Sequence, residues 1–273
     1  MPQLRLLAAP AAHQWLARHS LAAHPQGTCL SLALPERRAE FDRELCAIGA
    51  DWAWIDEDVA PNWRALRLFV TDMDSTLIAI ECIDEIADLA GLKPEVARIT
   101  EAAMQGELDF REALHARVAL LAGIPVAQLE ELYRERVRLN PGAARLVAAL
   151  KENGCRCVLV SGGFTFFTER LARELGFDEQ HANVLETKDG LLTGRLVGPV
   201  IDAAAKAGIL RTAAARLGAT RREILAAGDG ANDLAMLALA GTRLAWRPKP
   251  RILPHVNVIS MAQGLDTVLE LLP

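Results

Sequence analysis

Five short apolar runs, 66–71, 156–160, 223–227, 243–246 and 256–259, are bounded by Gly, Asp or Pro and separated by stretches of helical character. Strands that are apolar throughout must be covered on both faces. In a chain that alternates strand with helix, this predicts a parallel sheet between helical layers. In such an open sheet the ligand lies in the crevice beyond the carboxyl ends of the strands. Asp72 and Asp74 follow the first run, Ser161 the second, and Asp229 and Asp233 the third. The expected fold class is α/β with a Rossmann-like parallel core.

The stretch 79–153 has helical periodicity and almost no strand signal. Ile83, Ile86, Ala87 and Ala90 form one helical stripe closed by Gly91, and 95–104, 110–122 and 126–138 give three more. This is too long for an ordinary crossover and reads as a helical cap over the site, with 65–78 and 154–273 as the core domain. A smaller insertion at 183–200 carries Lys188-Asp189-Gly190 between two β-like runs and predicts a hairpin. Residues 1–64 hold Trp15, Trp52, Trp54 and Trp63, a strand pattern at 28–34 and a helical one at 36–48. They read as a small accessory α/β segment whose tryptophans are core or interface anchors. A regulatory and a homodimer-forming role both stay open for it.

About half of the 273 residues are apolar, so a folded protein is expected. The net charge of -5, without a basic face, argues against nucleic acid as a partner. No apolar run approaches the ~20 residues that span a bilayer, and the start of the chain reads poorly as a signal peptide. A cytoplasmic protein without a membrane partner is expected. Cys155-Arg156-Cys157 has no second pair or His cluster to complete a zinc site, so Cys29, Cys46, Cys82, Cys155 and Cys157 are expected as reduced, buried thiols.

In Asp72-Met73-Asp74-Ser75-Thr76 two carboxylates one residue apart point to the same side of a strand end. Such anions repel or share a cation. Asp72 is the candidate nucleophile, and Asp74 is placed to protonate a leaving alkoxide and then activate water. Thr76 is expected to hydrogen-bond nearby backbone or carboxylates. Ser161-Gly162-Gly163 reads as a strand-to-helix turn that offers N–H groups to an anion. Lys206 is the candidate cation that neutralises developing charge. Asp229 and Asp233, with Asp72 and Asp74, supply hard oxygen ligands that suit Mg²⁺. The spacing lacks the alternating ligands and terminal Glu of an EF-hand, and no P-loop motif exists.

At these residues the chain resembles the haloacid dehalogenase-like phosphohydrolases. Asp72 to Thr76 is similar to their first motif, Ser161 to the second, Lys206 to the third, and Asp229 with Asp233 to the fourth. Within that superfamily it resembles the phosphoserine phosphatase family over roughly 66–273. The stretches that carry this are Glu81-Cys82-Ile83-Asp84-Glu85, Met104-Gln105-Gly106-Glu107-Leu108-Asp109-Phe110, Arg117-Val118, Val160-Ser161-Gly162-Gly163-Phe164 and Gly228-Asp229-Gly230-Ala231-Asn232-Asp233.

The resemblance implies Mg²⁺-dependent hydrolysis of O-phospho-L-serine through an aspartyl phosphate, a step of serine biosynthesis. It implies that Glu81 meets the substrate amine and Arg117 its carboxylate, that Phe110 closes over the amino acid, and that Ser161, Gly162 and Asn232 contact phosphate or substrate. Ala245-Trp246-Arg247-Pro248-Lys249-Pro250 departs from the family's small-residue Lys-Pro stretch by its Trp and extra Arg-Pro. The rival readings are a sibling phosphatase or phosphotransferase for another small phosphate, and a binding protein without catalysis.

Overall fold

The computed structural model describes residues 1–105 and 107–272; Gly106, inside the 104–110 stretch named above, and Pro273 lie outside the described residues. The strands in chain order are β1 (Gln3–Leu7), β2 (His24–Gln26), β3 (Cys29–Ala33), β4 (Trp52–Ile55), β5 (Leu68–Thr71), β6 (Arg156–Phe164), β7 (Glu179–Lys188), β8 (Leu191–Val197), β9 (Ile224–Ala227), β10 (Thr242–Trp246) and β11 (Val258–Ser260). The helices are α1 (Pro10–Arg18), α2 (Ala39–Ala47), α3 (Cys82–Leu89), α4 (Lys93–Met104), α5 (Phe110–Leu120), α6 (Val126–Arg136), α7 (Ala143–Glu152), α8 (Thr165–Leu175), α9 (Ala203–Leu217), α10 (Leu234–Leu237) and α11 (Val268–Leu271). None of the described helices is long and apolar enough to cross a membrane.

All strands form one sheet in the order β2-β3-β1-β4-β11-β10-β9-β5-β6-β7-β8. The stretch from β11 to β7 is parallel, as the apolar runs predict. Residues of β5, β6 and β9 bury both faces: Phe69, Cys157 and Leu225 join one core, and Leu68, Val70, Val158 and Ala226 the other. The hairpin β7–β8 turns at Asp189-Gly190, where both residues have positive φ.

The N-terminal segment continues the same sheet, because β4 pairs antiparallel with β11. Trp15, Trp52 and Trp54 are buried, as anchors should be. Asp42, itself buried, accepts both the Trp52 and Trp54 indole N–H groups, at 3.1 and 2.6 Å. Arg37 grips the other oxygen of Asp42 and donates onward to the Val256 and Leu253 carbonyls. A second clamp is Asp51, whose carboxylate accepts Ser260 Oγ at 3.1 Å and the N–H groups of Met261, Ala262 and Gln263. Removing it strands several donors, each bonded to a charge and worth about 1.5–3 kcal/mol. Asp51→Ala should therefore lose about 3 kcal/mol or more in denaturant unfolding, with Asp51→Asn losing less. A loss under about 1 kcal/mol would mean that water replaces the clamp.

Four helices, α3 to α6, are inserted after β5, and their two linkers run side by side. Ile78 bridges Leu139, Ala79 N–H donates to the Arg138 carbonyl, and Asn140 N–H donates to Leu77. The Asn140 side chain adds bonds to Thr76 O and Ile78 O. The helix expected to reach 138 thus stops at Arg136: Val137 is extended, and Asn140 precedes Pro141, which disfavours helix there. Beyond the linkers α7 packs against β6.

The strand expected from 66 begins at Leu68, after a short 3-10 turn at Trp63–Ala65. Ser161-Gly162-Gly163 is a correction: it is the irregular end of β6, where register shifts against β7 between Val160 and Phe164, and the helix starts only at Thr165. Cys29, Cys82, Cys155 and Cys157 are free and buried, whereas Cys46 is half-buried.

Candidate active site

β5, β6 and β9 lie side by side in register, with Thr71 level with Leu159 and Ala227. Their carboxyl ends therefore release Asp72, Ser161 and Asp229 at one rim. Asp72 N–H still donates to Ala227 O at 3.0 Å, so the first carboxylate starts from a fixed backbone position. α9 supplies the cation. Its N-cap Asp202 accepts from Ala205 N at 2.9 Å, and Lys206, 1% exposed, reaches Asp72 Oδ1 at 2.7 Å and Asp233 Oδ1 at 2.8 Å. The other oxygen of Asp233 accepts the Asp229 and Gly230 N–H groups.

Carboxylate oxygens of Asp72, Asp229 and Asp233 lie within 4.8 Å of one another, all buried. Asp74's carboxylate is not in that group. Its Oδ1 accepts from Cys82 N at 3.3 Å, at the start of α3. A Cβ at Gly163 would come within 2.6 Å of Asp74 Oδ2, so a larger residue here would have to displace the second carboxylate.

Burial pushes the Asp72 carboxyl well above its usual range, Asp233 adds to this, and Lys206 opposes it. Burial and then Glu81 push Asp74 up to about 7, against the Cys82 hydrogen bond. Burial alone would lower Lys206, but Asp233 and Asp72 outweigh it and hold the ammonium above its ordinary value.

A cavity of about 350 Å³ opens above these groups, between the rim and α3, α4 and α5. It is lined by Asp72, Asp74, Glu81, Phe110, Arg117, Ser161, Gly162, Asp229 and Asn232, all residues singled out in the sequence; Lys206 and Asp233 sit beneath it. Glu81 precedes α3 and accepts Ser75 Oγ at 2.7 Å. Burial raises its carboxyl, with Ser75 opposing. Arg117 is tethered through Nε to Ala113 O, and burial lowers its pKa. Phe110 opens α5 behind a capping box of Asp109 and Glu112, and its ring tip lies over Gly162, where a Cβ would sit 3.4 Å from Cζ. Asn232 Nδ2 is 3.5 Å from Asp72 Oδ2.

Thr76 is a correction, since its buried hydroxyl has no hydrogen-bond partner among the described residues. Lys249 is a member of the site that no sequence rule assigns a role. Its ammonium, on a mostly exposed side chain, pairs with Asp229 Oδ2 at 2.6 Å, and that contact holds its pKa up against partial desolvation. The only signal was its place in the stretch 245–250. Ile83 and Leu114 add apolar wall to the cavity and Thr100 lies beside them; Ile83 falls in the Glu81-to-Glu85 stretch, whereas no local rule sets Thr100 or Leu114 apart.

Residues 69–238 match the family described as haloacid dehalogenase-like hydrolase. The chain is 55% identical over 210 residues to the phosphoserine phosphatase of Polaromonas sp., covering 75% of this chain and 89% of that one. The structure of a probable phosphoserine phosphatase from Vibrio cholerae superposes with a TM-score of 0.82 at 36% identity, covering 99% of this chain and 87% of that one. A structure described as a phospho-aspartyl intermediate analogue of phosphoserine phosphatase matches with a TM-score of 0.70 at 36% identity, over 76% of this chain and 99% of that one. The rim of buried acids, the lysine beneath it and this kinship together make the chain a phosphatase, a member of the phosphoserine phosphatase family of haloacid dehalogenase-like hydrolases.

Proposed function

We propose that the protein hydrolyses O-phospho-L-serine to L-serine and phosphate, as a step of serine biosynthesis. One observation carries the reading. A single cavity has a phosphoryl end, with Asp72, Ser161 and the underlying Lys206, and an amino-acid end, with Glu81 and Arg117. A zwitterion needs one anion for its amine and a guanidinium for its carboxylate.

Asp72 attacks the phosphorus, the bond to the serine oxygen breaks, and Asp74 gives its proton to that oxygen. Water then attacks the phosphorus of the aspartyl phosphate, passes a proton to Asp74, and restores the Asp72 carboxylate as phosphate leaves. An acid held near 7 can both give and take that proton at neutral pH. Lys206 stays charged throughout and offsets the charge on the transferring group. Phe110 and the helical insert exclude water from the amino-acid end.

Asp72, Asp229 and Asp233 suit Mg²⁺: three buried, hard-oxygen side chains converge, and among the described residues Lys206 and Lys249 are the cations paired with them. When bound, the ion screens the phosphate from the attacking carboxylate. The side chain of Asp74 is left to proton transfer.

The test is phosphate release from O-phospho-L-serine beside sugar and nucleotide monophosphates, with and without Mg²⁺. Turnover of the others but not of phosphoserine would refute the substrate. Arg117→Ala should raise KM for phosphoserine by about 10- to 100-fold, the value of a charged hydrogen-bonded contact, while phosphoethanolamine, which lacks the carboxylate, is unaffected. Equal losses on both substrates would remove Arg117 from the amino-acid end.

A further inference from the structure

Asn183 lies on β7 opposite Phe164, where the pairing of β6 with β7 resumes after its irregularity. It is 1% exposed and does not line the cavity. One end of its amide donates from Nδ2 to the Gly162 carbonyl at 2.7 Å; the other accepts the Ile201 N–H at 2.8 Å. These two segments lead to the two groups that face the phosphoryl end. Ser161 precedes Gly162, and Ile201 leads into Asp202, the N-cap of α9, with Lys206 one turn on.

Gly162-Gly163 has no side chains with which to pack, so nothing in the segment itself selects one conformation. Across a trans peptide the C=O and N–H point in opposite directions. Holding the Gly162 carbonyl toward Asn183 turns the Gly163 N–H away from it, onto Ser161 Oγ at 2.8 Å. With that oxygen already accepting, the serine proton stays free to be donated to another group, and Ser161 lines the cavity. The other half of the same amide pins the entrance of α9, and so the base of Lys206.

We infer that Asn183 is a positioning residue for phosphoryl transfer, one buried amide that fixes Ser161 and Lys206 relative to each other. The inference rests on the reading of these two residues as the phosphoryl-binding pair. It does not depend on which phosphate ester is the substrate.

Asn183→Asp keeps the shape and the acceptor for Ile201 N–H, but sets an oxygen against the Gly162 carbonyl. Asn183→Ala removes both bonds. Thermal melts identify which variants fold, and either one suffices. With the full chain and Mg²⁺, inorganic phosphate and L-serine are titrated separately by calorimetry, and turnover is measured beside them. The expected result is phosphate binding weakened about tenfold or more and kcat lowered about 100-fold, the scale for a small misplacement of a reacting group. Serine affinity, set by Glu81 and Arg117, should be retained. Wild-type phosphate affinity in the variants would overturn the inference, and so would equal loss of both ligands, the mark of general loosening. Failure of the wild-type protein to hydrolyse phosphoserine would instead sink the proposed substrate, and the phosphate titrations would still decide the role of Asn183.

Discussion

Asp72→Asn should abolish turnover of phosphoserine, with a loss of at least about 10⁴-fold, because an amide oxygen cannot serve as the nucleophile. The same variant should melt higher than the wild-type protein at pH 7 in the presence of a chelator. Asp72 and Asp74 are both held above their ordinary values by burial, Asp72 further by Asp233 and Asp74 by Glu81. A carboxyl whose folded pKa is raised binds its proton more tightly in the folded state. Its contribution to stability is present at low pH and is lost as pH rises from the unfolded value toward the folded one. For Asp74 that window runs from 3.8 to about 7. The metal-free wild-type protein should therefore lose stability across this range, and the gap to Asp72→Asn should close as pH falls toward the lower end. Differential scanning calorimetry of both proteins across that range is the measurement. An Asn variant that melts lower at pH 7 would mean that the Lys206 contact outweighs the crowding. Residual turnover near the wild-type rate would remove Asp72 as nucleophile.

Lys206→Met is expected to have the largest effect on stability. The methionine keeps most of the volume of the stem, so the change is mainly one of charge. Asp72 and Asp233 would then face each other in a buried site without their common ammonium. Breaking a buried pair by removing one partner costs about 3–5 kcal/mol, a large part of a total that is commonly about 5–15 kcal/mol. Mg²⁺ should restore part of this loss, since a cation bound only by the folded state stabilises it. Urea unfolding with and without Mg²⁺ tests both statements. A variant within about 1 kcal/mol of wild type would show that the carboxylates protonate at little cost once the lysine is gone. If the ammonium offsets charge on the transferring group, as proposed, catalysis should fall by several orders of magnitude in either case.

Much of the rim of buried acids was legible because it obeys local rules. Asp72 and Asp74 share a side by the alternation of a strand. Asp229 follows β9 at the carboxyl edge, as ligand-binding residues do in an open parallel sheet. Lys206 has no such local signal in its alanine-rich helix, and Glu81, Phe110 and Arg117 were reached only through family resemblance. All four lie at the site. Where the expectation failed, a short-range rule was overridden. The Gly-Gly segment after Ser161 has the composition of a turn, but Asn183, from a different strand, holds it in an irregular strand end. Thr76 has a hydroxyl suited to hydrogen bonding, but packing leaves it without a partner among the described residues.

By itself, then, the sequence determined the parallel core, the helical insertion and most residues of the rim, because strand alternation, helical periodicity and the polarity at strand ends act within a few positions of the chain. Only the tertiary structure decided the antiparallel joint of β4 with β11, the pairing of Lys249 with Asp229, the proximity of Gly163 to Asp74 and the span of Asn183 between Gly162 and Ile201. Each of these joins residues far apart in sequence, or sets which of two near neighbours is turned toward the other. Such contacts arise from packing and from the need to satisfy buried polar groups, and no periodicity along the chain encodes them.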